Sequence, residues 1–333
     1  MSNKVWNGEF INALEEIETI CKNKGDVFRA RAYKKAADSI LLVQENIYSV
    51  DQIKDLPGVG KTILIKLQSL VDTGKIDLIE KEKNNIIHQL CKIYGVGPKK
   101  AVELAKSVGS IEELKKKPEL LNDVQKIGLE YFEEIQQRIP RNEIDEYNKI
   151  IKASLNSSNT NNVSIVGSYR RGAQSSGDID VIFSSNDPSD FDKFLDNLIQ
   201  YNIIVKILSR GKVKCLTIGR LTPDHTPRRI DFLYTPPKEY PFAILYFTGS
   251  KAFNVIMRQH SLIKGHSLNE HGFTPPSKVD INSEEDIFNY LGLVYKNPTE
   301  RKSGLDVQLV KSQSTITTKQ KESKKIVKSS TRL

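Results

Sequence analysis

Between Gly167 and Val181 the chain reads Gly-Ser-Tyr-Arg-Arg-Gly-Ala-Gln-Ser-Ser-Gly-Asp-Ile-Asp-Val, and this run restricts the fold more than any other stretch. Residues two apart in a strand share a face, so Asp178 and Asp180 project together while Ile179, Val181 and Phe183 form the opposite, apolar face. Burial of that face sets the register and aims the acids. Two adjacent carboxylates repel, and a divalent cation that favours hard oxygen ligands, Mg²⁺ or Mn²⁺, holds both ionised. A third acid is at hand: from Arg228 to Tyr234 the apolar Ile230, Phe232 and Tyr234 alternate with Asp231.

Upstream, Val163-Ser164-Ile165-Val166 is a short β run ending in Gly167-Ser168, where backbone amides and a hydroxyl can meet an anion. Arg171 adds a forked, charged donor suited to phosphate oxygens. A lone Asp-x-Asp reads more often as a solvated strand. Joined to Gly-Ser, two arginines and a third strand aspartate, it reads as a nucleotidyl-transfer site.

From Trp6 to about Asn46 apolar residues recur at helical spacing, as Phe10, Leu14, Ile17 and Cys21 and then Phe28, Ala32, Ala36 and Ile40, with Gly25 dividing them. Leu56-Pro57-Gly58-Val59-Gly60 then opens another helix, and Ile93-Tyr94-Gly95-Val96-Gly97-Pro98 repeats the device 37 residues later. Such a Gly-x-Gly turn between helices is the helix-hairpin-helix pattern, in which glycines let a DNA backbone approach and helix-start amides face phosphate. One copy is equally a plain helix–helix turn; two copies, with Lys61, Lys99 and Lys100 beside them, favour DNA. Ile139-Pro140-Arg141 reads as a linker, because proline stops the helix expected to carry Leu129, Phe132 and Ile135. Pro236-Pro237 and Pro241 mark a further boundary, before a late helix with Ile287, Tyr290 and Leu291.

The chain of 333 residues is long enough for several domains, and its net charge of +9 favours a polyanionic partner. Five of those nine charges fall in the tail from Asp306 onward, so clusters such as Arg29, Arg31, Lys34 and Lys35 weigh more than the total. Cys21, Cys91 and Cys215 are scattered, which suggests neither disulfides nor zinc and fits a reducing compartment. No apolar run approaches the roughly 20 residues of a membrane helix, and the N-terminus has no signal-peptide core. The expected location is intracellular, nuclear, cytoplasmic or viral, without secretion or membrane. After Arg301 the Lys-, Ser-, Thr- and Gln-rich sequence predicts disorder.

The pattern Gly-Ser, Arg-Arg-Gly, Gly-Asp-Ile-Asp resembles the family X DNA polymerases, and Tyr246-Phe247-Thr248-Gly249-Ser250 with Phe253-Asn254 and Met257-Arg258 is similar to the thumb of the DNA polymerase beta group. The match runs from about residue 10 to residue 302 in order. It implies an α+β multidomain chain: a helical helix-hairpin-helix lyase domain (1–82), a helical DNA-binding subdomain with the second hairpin (83–141), a nucleotidyltransferase palm with a mixed β-sheet (142–238), a small α/β thumb-like nucleotide-selecting subdomain (239–305) and a basic tail (306–333). By resemblance, Asp178, Asp180 and Asp231 bind two Mg²⁺ ions and Asp231 helps activate the primer 3′-hydroxyl. Arg229, expected just ahead of that strand, steadies the acid or the primer backbone. Arg138, Ser168, Arg171, Ser176 and Gly177 hold the triphosphate. Tyr246, Phe247 and Gly249 wall the sugar, and Asn254 and Arg258 face the nascent base pair and template.

The same resemblance makes Lys66 a Schiff-base nucleophile of a 5′-deoxyribose-phosphate lyase, with Arg29, Tyr33 and Lys54 around the 5′-phosphate. Thr62 stands for a lysine of that pocket, and Phe28 for a histidine. Gly58, Gly60, Lys61, Gly95 and Gly97 grip DNA, and carbonyls of Lys54, Leu56 and Val59, and of Cys91, Ile93 and Val96, hold a sodium or potassium ion. Three positions depart from the beta-type pattern: Lys251 stands for an acid, Val255 for a lysine and Leu233 for an arginine. Looser base discrimination is the expected result. The implied function is gap filling in base-excision repair by a monomer that binds gapped or nicked DNA and dNTPs and works beside a ligase. The chain shows neither an added N-terminal partner-binding domain nor a C-terminal phosphoesterase domain, which favours a minimal repair form. End joining or template-independent addition is the alternative among enzymes, and a non-catalytic DNA-binding module the alternative outside them.

Overall fold

The computed structural model describes residues 4–155 and 162–310. Helix α1 (Asn7–Asn23) ends at Gly25, whose φ of +77° suits glycine, and α2 (Val27–Leu41) starts from Asp26, which accepts the Arg29 N–H at 3.1 Å. Helix α1 buries Phe10, Leu14, Ile17 and Cys21. The stripe of α2 differs from the expected one: Ala30, Tyr33, Ala36, Ala37, Ile40 and Leu41 face inward, while Ala32 is exposed and Phe28 is 84% exposed. The small side chains on the true stripe let α1 lie close, a choice made by packing rather than by spacing. Helices α3 (Lys61–Thr73) and α4 (Asp77–Glu82) close this first core, to which Ile53, Val59, Ile63 and Leu67 belong.

A second core, with Leu90, Ile93, Val96, Leu104, Leu114 and Leu129, unites α5 (Ile86–Leu90), α6 (Pro98–Leu104), α7 (Ile111–Lys115) and α8 (Asp123–Glu130). Helix α8 stops sooner than expected. Phe132 and Ile135 lie beyond it, Ile135 in a separate 3₁₀ turn at Glu134–Gln136. Ile139–Pro140 is also more than a linker: it forms strand β1, and α9 (Arg141–Ala153) begins directly after Pro140. Proline costs nothing there, since an edge strand and a helix start can both spare its missing N–H.

The palm follows with β2 (Asn162–Ile165), α10 (Gly167–Arg170), β3 (Ser175–Ser176), β4 (Ile179–Ser184), α11 (Ser189–Gln200), β5 (Ile204–Arg210), β6 (Lys214–Gly219) and β7 (Arg228–Thr235). Strand β1 pairs with β3, and the main sheet has the order β2-β4-β7-β6-β5. Its one parallel pair is β4 with β7; the other pairs are antiparallel. Val181, Phe183, Ile230 and Phe232 pack with residues of α9 and α11, among them Tyr147, Phe191 and Phe194. Ile182, on the opposite side, meets Ala243 and Ile244. The alternating working face is therefore short: beyond Asp180 strand β4 is buried on both sides.

The last unit comprises α12 (Tyr240–Thr248), α13 (Lys251–Ile263), the hairpin β8 (Ser267–Asn269) and β9 (Gly272–Thr274), and α14 (Glu284–Leu291) around Phe253, Met257, Phe273 and Phe288. Tyr246 and Phe247 thus lie on a helix. The disorder expected after Arg301 is corrected for residues 302–310. Val307 is buried, and Leu309 pairs with Leu293. The basic tail from 311 to 333 lies outside the described residues.

Candidate active site and nucleic-acid interface

The parallel pair decides where the acids sit. Asp180 on β4 is the register partner of Asp231 on β7, so their side chains leave neighbouring strands, about 4.8 Å apart, on the same face. Asp178 precedes β4 by one residue. Gly167 closes the site from below: its φ is +63°, and a Cβ built on it would lie 3.1 Å from Oδ2 of Asp180. Burial first, and then the charges of Asp178 and Asp231, push the Asp180 carboxyl up to about 7.

Arg229 is part of β7 rather than upstream of it. Its Nε and Nη2 donate to the two carboxylate oxygens of Asp231 at 3.1 and 2.8 Å, and Nη2 lies 3.7 Å from Asp178. This contact, against an Asp231 only 3% exposed, holds the guanidinium well above its usual range. Among the described residues no three acidic, histidine or cysteine side chains converge as a ready-made metal cage. Arg229 occupies the place of positive charge. The donor set is nevertheless all carboxylate oxygen, and burial with the charges of Asp178 and Asp231 drives Asp180 toward protonation in spite of Arg229; a hard divalent cation answers both conditions.

The expected triphosphate residues lie on connected segments. Ser168 and Ser176 share a hydrogen bond of 2.8 Å. Arg138 donates to the Ser175 hydroxyl at 3.2 Å and also to the Ser175 carbonyl, and its Nη1 would stand 3.6 Å from a Cβ on Gly177. Arg171 donates to the Thr248 carbonyl at 2.5 Å and passes 3.4 Å from the Cβ position of Gly249. A neighbour that the sequence did not single out fixes this arrangement. Arg170 donates to Thr248 Oγ1 at 2.7 Å and to Glu284 at 3.1 and 2.6 Å, and the fully buried Arg301 donates to Glu284 at 2.5 Å. Burial raises the Glu284 carboxyl, but the two arginines outweigh it and hold it low. Helix α10 is braced from the other side by Arg141, which lies over the Tyr169 ring at 4.4 Å.

On the thumb-like unit, Asn254 and Arg258 lie one turn apart on α13. Asn254 donates to the Tyr246 carbonyl at 2.6 Å, and Arg258 lies over the Tyr246 ring at 5.9 Å. Both expected base-pair contacts are thus gathered at Tyr246. Lys251 pairs with Glu15 of α1.

Lys66 stands apart from the acids. It lines a cleft of about 840 Å³ with Cys21, Arg29, Tyr33, Lys61 and Thr62. Lys54, expected beside the same phosphate, is not among the residues that form this cleft. The two hairpin turns share one geometry. Gly58 and Gly95 have φ of +86° and +81°, and Gly60 and Gly97 cap α3 and α6. The Leu56 carbonyl accepts from Val59 and that of Ile93 from Val96, each at 3.0 Å, so one lone pair of each stays open. Cys91, Ile93, Tyr94, Gly95, Val96 and Gly97 border a second cleft, of about 540 Å³, whose other wall includes Arg229.

Two glycine-turned helical units ahead of a mixed sheet with paired strand acids make the architecture of the nucleotidyltransferase fold class. Comparison with known proteins narrows the class. Residues 138–237 match the DNA polymerase beta palm, 243–302 the DNA polymerase beta thumb, 88–136 the fingers domain of DNA polymerase lambda, and 5–76 a helix-hairpin-helix domain. The chain is 30% identical over 311 residues to DNA polymerase lambda of Arabidopsis thaliana, covering 83% of this chain and 58% of the relative. It is 27% identical over 321 residues to DNA polymerase lambda of Rattus norvegicus, covering 87% and 56%, and 27% identical over 350 residues to DNA nucleotidylexotransferase of Xenopus laevis, covering 90% and 68%. The chain belongs to the family X DNA polymerases, in their beta-like branch. It spans less than two thirds of the length of the two lambda polymerases. No helix among the described residues is long and apolar enough to cross a membrane.

Proposed function

We propose that the chain is a DNA polymerase that adds single deoxynucleotides to a primer at short gaps in duplex DNA, in base-excision repair inside the cell. The observation that carries this reading is the Asp180–Asp231 pairing across parallel strands, with Gly167 closed against Asp180 and Arg229 on Asp231. The primer 3′-oxygen attacks the α-phosphorus of the dNTP, the bond to pyrophosphate breaks, and the hydroxyl proton leaves toward Asp231 or water. Asp178, Asp180 and Asp231 would hold two divalent cations, Mg²⁺ or Mn²⁺, which when bound would supply charge that favours the ionised 3′-oxygen and offsets the triphosphate. Arg171, Ser168, Ser176 and Gly177, with Arg138, orient the phosphates, and the Tyr246–Gly249 segment crowds a 2′-hydroxyl. Arg229 keeps the Asp231 carboxylate aimed.

Lys66 is the nucleophile of a second, lyase activity: its amine adds to the abasic aldehyde, water leaves to give a Schiff base, and β-elimination expels the 5′-phosphate strand. The 840 Å³ cleft with Arg29, Tyr33 and Lys61 supports this reading. Borohydride trapping on an incised abasic duplex tests it; no crosslink, or one that survives Lys66→Ala, sinks the assignment. Template-independent addition remains the second reading, favoured by the likeness to the Xenopus laevis enzyme named DNA nucleotidylexotransferase. Extension of a single-stranded primer as fast as of a gapped one would establish it in place of gap filling. Monovalent ions at the two hairpin turns would add a further grip on the DNA backbone.

A further inference from the structure

The second hairpin turn carries a side chain that neither the acid site nor the backbone grip employs. Tyr94 precedes Gly95, and its backbone is held hard. A Cβ on Gly128 of α8 would lie 2.4 Å from the Tyr94 carbonyl oxygen, so only glycine lets α8 seat against the turn, and Gln125 Nε2 donates to the Gly95 carbonyl at 2.9 Å. The turn therefore has little freedom to follow a bound strand. The half-buried Tyr94 ring lines the cleft of about 540 Å³ together with Arg229, Ile135 and Gln136. Arg229 in turn grips Asp231 at 2.8 Å. The Tyr94 hydroxyl makes no hydrogen bond to any described residue, and with Arg229 lining the same cleft the residue stands at the end that leads to Asp231. A nucleic-acid strand held by the amides of Gly95 and Gly97 and ending at Asp231 must run through this cleft and along the ring.

The geometry points to Tyr94 as a positioning residue: its ring packs against the primer-terminal nucleotide and the Arg229 side chain, so that the hairpin's grip on the primer backbone fixes the 3′-hydroxyl against Asp231. This inference rests on the polymerase reading above. An aromatic face suits a sugar or base edge of any sequence, as a gap-filling enzyme needs, and stacking on aromatic side chains is sequence-tolerant. A ring fixed on a rigid turn restricts position rather than adding charge. Its loss accordingly affects the rate of the bound complex more than its formation.

The test is single-turnover incorporation on a one-nucleotide gap with full-length protein in excess, alongside DNA binding by anisotropy, for wild type, Tyr94→Phe, Tyr94→Leu and Tyr94→Ala. Tyr94→Ala and Tyr94→Leu are expected to lower the maximal rate roughly 10- to 100-fold while DNA affinity changes less than about threefold; Tyr94→Phe is expected to stay within about threefold of wild type. Tyr94→Leu fills most of the same space, so a fold weakened by Tyr94→Ala does not confuse the result. Leucine and alanine variants as fast as wild type, a loss confined to DNA affinity, or a phenylalanine variant as slow as alanine each overturn the assignment. A wild-type protein that binds the gap and incorporates nothing overturns the polymerase reading, and this assignment with it.

Discussion

Arg229 and Asp231, two residues apart on β7, face each other in a two-pronged contact of 3.1 and 2.8 Å, and the same guanidinium stands 3.7 Å from Asp178. Side chains at i and i+2 of a strand share a face, so the strand itself produces this contact. The result is a site whose positive charge is supplied by the protein before any cation arrives. Three consequences concern the acids and their floor, and a fourth the network that joins palm and thumb.

Removing the guanidinium leaves the buried Asp231 carboxylate unpaired. Arg229→Ala is expected to destabilise the protein without divalent cations by about 3 kcal/mol, the cost typical of breaking a buried pair from one side. Added Mg²⁺ should recover part of the loss. Thermal melting with and without Mg²⁺ checks this; equal losses in both conditions would show that Arg229 and the cation do not share a place.

Asp180 gives a pH dependence of unusual sign. An acid whose folded pKa exceeds its unfolded value costs stability once ionised, so the cost is absent in acid, grows from about pH 4, and is complete above about pH 7. Asp180→Asn is therefore expected to melt higher than wild type at about pH 8, by on the order of 2 kcal/mol without divalent cations, and to match it near pH 4.5. The same variant should lose incorporation by at least about a thousandfold. A lower melting temperature at high pH would refute the account of the Asp180 environment.

Gly167→Ala combines strain with intrusion. The residue has φ of +63°, and the new methyl group would stand 3.1 Å from Asp180 Oδ2. A stability loss of about 1–2 kcal/mol and a fall in incorporation of roughly 100-fold are expected, measured by melting and by gap filling. Normal activity would mean that the floor of the site yields freely.

Glu284 ties Arg170 of the palm to Arg301 of the thumb-like unit. Its carboxyl is held below the ordinary value of 4.5, so its contribution is present at neutral pH and is lost as the pH falls through that lowered value. Glu284→Gln should cost about 3–5 kcal/mol at neutral pH, with the deficit shrinking in acid. It should also weaken dNTP affinity, since Arg170 and Arg171 both anchor at Thr248. A variant as stable as wild type at neutral pH would remove the network from the account.

The parts of this chain legible in its sequence are those with a short-range signature. Asp178, Asp180 and Asp231 stand in period-two runs, and the turns at Gly58 and Gly95 repeat one another within a few residues; the α+β class followed from the family resemblance that these runs carry. The stripe of α2 misled because Phe28 has the right spacing but the neighbouring helix chooses small residues. Pro140 signalled a stop and concealed a strand whose partner lies at Ser175. Arg170 and Glu284 are 114 residues apart, and no periodicity announces such a pair. Val307 and Leu309 look like tail by composition, yet Val307 joins the last core and Leu309 pairs with Leu293. What escaped the sequence was decided by tertiary packing.

The most direct measurement is extension of a primer across a one-nucleotide gap with Mg²⁺, comparing wild type with Asp231→Asn in preparations free of other polymerases. Wild type should insert the single templated deoxynucleotide and stop at the filled gap, and Asp231→Asn should bind the same DNA while losing at least about a thousandfold in rate. No insertion by wild type, or insertion undiminished in Asp231→Asn, would contradict the account.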